Sequence, residues 1–190
     1  MLGGEHSALV AEIQNTRGQK MNIYILILRL VHVFAGVFWA GGVMMMAYFI
    51  EPTTRAAGPE GSRFMQRLSA SRFTPAMTLA APLNVLAGLL LYFNDSAGFR
   101  VEWILSPTGI GFTIGALAGL MAFVIGFFVT RPTIANLGVL GKEIQAAGKP
   151  PTPEQMTTLQ GLQEKLTKAS LQTSFAIVIA VLAMATARYW

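Results

Sequence analysis

Four apolar runs alternate with polar stretches along the chain, at about 30–50, 75–93, 109–130 and 171–187. Each approaches the roughly 20 residues that a helix needs to cross the hydrocarbon core of a bilayer. None shows the continuous polar face of a helix packed on a water-soluble core. The pattern therefore predicts an all-α fold, a polytopic membrane four-helix bundle over residues 21–190, preceded by a polar tail at 1–20. The tail and the long first run lack the layout of a cleavable signal peptide, so the run is expected to stay as an anchor.

The runs also repeat. The first is followed by "EPTTRAAG" (51–58) and the third by "RPTIANLG" (131–138), the same Pro-Thr…Gly spacing 80 residues apart. The second and fourth are preceded by "RLSAS" (67–71) and "KLTKAS" (165–170), and end in Tyr-Phe and Tyr-Trp. This predicts two duplicated helical hairpins in parallel orientation, related by an axis along the membrane normal. Proline is also a common helix stop, which gives Pro-Thr a plainer reading. The long third connection is expected to be helical, a stalk over about 133–168. Thr152 is its candidate N-cap, with Pro153 in the first turn and Glu154 beside the positive helix end.

Small residues punctuate the apolar runs. Gly111, Gly115 and Gly119 are spaced by four in the third run, and Ala76, Ala80, Asn84 and Gly88 by four in the second. Such stripes let helix backbones approach closely in lipid. They predict tight seams, with Gly36 joining from the first run and Asn84 hydrogen-bonding across a helix pair. Pro82 frees the carbonyl of Thr78 and opens room beside Asn84.

Composition sharpens this picture. The chain has 190 residues, 53% hydrophobic and 12% charged, against about 25% charged in soluble domains. The absence of cysteine excludes disulfides and thiolate chemistry. The net charge of +5 reads as membrane topology rather than nucleic-acid binding. Arg55, Arg63, Arg67, Arg72, Arg131, Lys142, Lys149, Lys165 and Lys168 fall on one side, and Arg17, Lys20, Arg29, Arg100 and Arg188 on the other. Nine basic residues against five place the first group in the cytoplasm and both termini outside, in the periplasm of a bacterial inner membrane.

Candidate chemistry centres on "LVHVFAGVFWAGGVMMM" (30–46). Arg29, His32, Gly36, Trp39, Val43 and Met46 share one helix face, and an imidazole in hydrocarbon needs a partner. That partner is a structural hydrogen bond, a redox cofactor, a copper ion or a proton relay. "LRLVHVFAGVFWAGGVMM" and the closing "LAMATARYW" resemble CopD-like small bacterial integral membrane proteins, which share an H-x6-W-x-G-G first helix. They are more distantly similar to the membrane part of urate oxidases and to HemJ-type proteins. The resemblance implies haem b or copper near His32, with Arg29, Trp39 and Met46 as cofactor contacts and His32 as the metal ligand. Against this, the only other histidine is His6 in the tail, and Phe112 stands 80 residues after His32. Haem within one chain would then need a methionine ligand, from Met46, Met77, Met121 or Met184. The consecutive Met44, Met45 and Met46 point about 100° apart and cannot converge on one copper ion.

No complete catalytic set is present. The expected role is a non-catalytic bundle in the lipid bilayer, an accessory or structural subunit of a larger redox or photosynthetic membrane complex or a homo-oligomer. The alternative is a haem- or copper-associated redox or transport protein using His32. A carrier is disfavoured because the four runs hold no acidic residue.

Overall fold

The computed structural model describes residues 23–190; His6, Arg17 and Lys20 lie outside them. In chain order the helices are α1 (Ile23–Met45), α2 (Glu51–Ala56), α3 (Pro59–Ala70), α4 (Phe73–Asp95), α5 (Val101–Ile104), α6 (Pro107–Ile125), α7 (Arg131–Ala147) and α8 (Pro153–Thr186). The described residues contain no strand. Four helical stretches are long and apolar enough to cross a membrane, Ile23–Ala56, Phe73–Asp95, Pro107–Ala147 and Pro153–Tyr189. Phe34, Val37, Phe49, Phe128 and Phe175 point outward from them. A surface this apolar suits lipid rather than water, and the chain has the makeup of a multi-pass membrane protein.

The ends of the helices follow from local chemistry. The Ser106 hydroxyl caps α6 by accepting from the Gly109 N–H at 3.1 Å. Thr152 and Gln155 cap α8 reciprocally, each side chain satisfying the other's backbone N–H at 3.0 and 3.2 Å. Gly148 ends α7 in the left-handed conformation.

The repeated Pro-Thr signals do not end their helices. They sit at two π-helical turns, Met46–Ile50 and Gly126–Thr130. The N–H of Glu51 reaches back five residues to the Met46 carbonyl, and that of Arg131 to the Gly126 carbonyl. Pro52 and Pro132 bring no N–H, so the ladder loses a bond at each site, and the wider turn carries the chain past it. The same backbone irregularity thus recurs in both hairpins at the 80-residue offset of the sequence signal. One consequence is a carboxylate that the sequence places beyond the first span. The helix runs on through Glu51 and buries it to 7% exposure.

Within the hairpins, α1 packs on α4 and α6 on α8. The π turns lean on α8, which is the most enclosed helix: 44% of its apolar window is buried, against 6% for the stretch beginning at Ile23. The core joins Trp39, Ala80, Ala122, Ala176 and Ile177. Beyond it, α7 and the first turns of α8 pair as an extension of the bundle, and the Arg55 guanidinium donates to the Gln163 carbonyl at 3.0 Å.

Candidate functional site

The imidazole of His32 turns inward from α1 onto the backbone of α4. Its Nδ1 lies 2.9 Å from the Asn84 carbonyl oxygen. A carbonyl only accepts, so Nδ1 carries the proton, and in the neutral ring Nε2 is left as an acceptor. Nε2 has no hydrogen-bond partner among the described residues. Gly88 makes the placement possible, since a β-carbon there would lie 2.8 Å from His32 Cε1. Gly36 does the same for Asn84, whose Oδ1 would be 2.7 Å from a β-carbon at Gly36.

Asn84 departs from expectation. Its main-chain carbonyl, not its side chain, takes the inter-helix bond, and its buried Oδ1 has no partner. The amide is pressed against Gly36, where α1 offers no free donor.

His32 and Asn84 line a cavity of about 230 Å³ among α1, α4, α6 and α8. Its walls are mainly apolar, with Leu89, Leu120, Phe112 and Trp103 among them, and Met184 contributes a thioether. Arg29, Arg188 and Asp95 also line it. Among the described residues none of these three makes an ion pair or a side-chain hydrogen bond. The wall is stiffened by aromatic contacts: Tyr92 meets Trp103 edge-on at 5.4 Å, and Trp103 stacks on Phe112 at 6.2 Å. The Tyr92 hydroxyl lies 2.6 Å from Thr113 Oγ1, and the Thr113 hydroxyl donates to the Gly109 carbonyl. Tyr92 is therefore the donor of the first bond.

The structure thus brings Arg29, His32, Asn84, Gly88 and Gly119 to one cavity and leaves Trp39 and Met46 away from it. Trp39 is buried in the core, and Met46 sits in the first π turn. Gly111 and Gly115 serve packing. β-Carbons there would lie 2.7 Å from Ala187 Cβ and 2.5 Å from Met184 Cγ. A β-carbon at Gly119 would meet only Ala180 Cβ at 4.0 Å, so Gly119 contributes space rather than close approach.

A b-type haem held by the His32 imidazole would need a second axial ligand from the same cavity. The second axial ligand would have to be Met184, the one methionine on the wall. For copper, the soft donors are the His32 imidazole and the Met184 thioether. The described residues hold no group of three His, Cys, Asp or Glu side chains suited to a metal.

A second polar cluster was not foreseen from sequence. The Ser170 hydroxyl on α8 donates to Glu51 Oε1 at 2.6 Å. One turn further along α8, the fully buried Ser174 hydroxyl is unpaired, as is Thr130 Oγ1 in the second π turn. The recurring Pro-Thr signal marked where the helices are irregular, but not that the irregularity would carry Glu51 inward.

Comparison with known proteins yields no relative: no family model, no curated protein and no solved structure matches the chain.

Proposed function

We propose that the chain is a non-catalytic helical-bundle subunit of a larger membrane assembly in a bacterial inner membrane. The observation that carries this reading is the uneven burial of its spans. Helix α8 is enclosed by the rest of the bundle, whereas the stretch beginning at Ile23 buries 6% of its apolar window. That hairpin offers a groove lined by Val31, Phe34, Phe38, Ala76, Leu79 and Leu83, with small residues between large ones, the texture that close helix packing in lipid uses. Extraction in a mild maltoside detergent followed by native mass spectrometry tests the reading. Co-purifying membrane subunits or a dimer are expected; a monodisperse monomer in native lipid nanodiscs overturns it.

A second reading is a CopD-like redox or transport protein using His32. One observation favours it: the ring donates through Nδ1 to a backbone carbonyl, the arrangement in which histidine ligands are commonly held, and Nε2 shares a cavity with Met184. Copper(I) titration separates the two readings. Stoichiometric uptake lost in both His32→Ala and Met184→Leu supports the second, and no uptake by the wild type ends it.

A further inference from the structure

We infer that the cavity beside His32 is a binding site for a single-chain amphiphile with an oxyanion head, a fatty carboxylate or its phosphate counterpart. Three features define the ligand. Arg29, near the start of α1, and Arg188, in the last turn of the chain, come from distant parts of the sequence to line one cavity, and neither has an anionic partner among the described residues. Asp95 offsets one of the two charges, which leaves a net positive site that selects an anion. Two guanidinium groups suit an oxyanion because each presents planar, paired donors.

Apart from His32, Asn84 and Tyr92, the remaining wall is apolar and aromatic, which suits an acyl chain. Size limits the chain. The room beside His32 is about 230 Å³, which suits one acyl chain better than two. The irregular contacts of α6 make that room. Gly115 seats Met184 tightly, whereas Gly119, one turn on, leaves its neighbour at 4.0 Å. Arginines that merely extend toward lipid phosphates at an interface would show no dependence on the cavity behind them. That difference makes the inference testable, and it holds whether or not the chain has partner subunits.

The probe is an ω-brominated undecanoate, added to the full-length protein in a neutral maltoside detergent, with tryptophan fluorescence as the readout. Trp103 lines the cavity, and bromine quenches indole on contact. Saturable quenching that disappears in Trp103→Phe is expected. The alcohol of the same chain length should bind at least about tenfold more weakly, because it cannot make the charge-assisted hydrogen bonds that a carboxylate makes to the two guanidinium groups. The Arg29→Gln/Arg188→Gln double variant should lose a similar factor. Ala116→Leu, which places bulk in the cavity without touching a charge, should abolish binding while leaving the thermal midpoint within a few degrees of wild type. Equal binding of acid and alcohol overturns the proposal. So does binding unchanged by Ala116→Leu, and so does competition by acetate or inorganic phosphate at the concentrations at which undecanoate acts.

Discussion

A β-carbon on Gly88 would lie 2.8 Å from His32 Cε1 and 3.0 Å from Nδ1, too close for the ring to keep its bond to the Asn84 carbonyl. Gly88→Ala is therefore expected to displace the imidazole and destabilise the bundle by about 1–3 kcal/mol, the usual cost of overpacking. Thermal unfolding in detergent checks this, and an unchanged midpoint would mean that the ring is free to move. At Glu51 the expected outcomes split by chemistry. Glu51→Gln keeps an acceptor for the Ser170 hydroxyl and should be tolerated. Glu51→Leu strands that hydroxyl in a buried site and should cost about 1–3 kcal/mol more, read in the same assay. At this scale the sequence was legible in part. The three–four spacing of Arg29, His32, Gly36 and Trp39 identified the inward face of α1. It could not show that Met46, fourteen residues on from His32 and so roughly 21 Å along the axis, lies far past the cavity. Nor could it single out Met184 among the methionines, since only the packing of α8 against α6 puts that thioether on the cavity wall that His32 shares.

Between helices, the glycine stripe of α6 divides into two functions that spacing alone made equal. Gly111 and Gly115 are seams against the end of α8, and Gly119 is a vacancy. Gly115→Ala should lower the thermal midpoint clearly, with a cost of about 1–3 kcal/mol, because Met184 Cγ and the Ala180 carbonyl leave no slack. Gly119→Ala should be close to neutral. Equal effects would show that α6 and α8 are not packed as described. Element positions were the most readable feature of the chain, because bilayer length and apolar continuity are strong signals. Their continuations were less so. Proline is a reliable sign that a hydrogen bond is missing, but whether the helix stops or widens into a π turn depends on what packs against it. Here α8 packs against both turns and the helices run on.

Taken as one body, the molecule keeps its polar extension, α2, α3, α7 and the start of α8, at the end of the bundle away from Tyr92 and Trp103. The basic residues of that extension set the expected orientation. A cysteine placed at Gln160, in a chain with none of its own, should react with membrane-impermeant maleimide only after the cytoplasmic face is opened. Labelling of intact cells from outside would invert the topology. The membrane class of the whole chain was readable from composition, but the site was not. A cavity is a property of four helices at once, and its two arginines stand 159 residues apart.

The bond from Ser170 to Glu51 has a meaning in time as well as in space, for it spans 119 residues. During synthesis the first hairpin enters the membrane long before α8 exists, and until then its carboxyl has no hydroxyl to bind. The last helix to arrive is the one that satisfies the first. A chain interrupted before Ser170 would leave the Glu51 carboxyl, at the flank of α1, without the hydroxyl that holds it in the finished bundle.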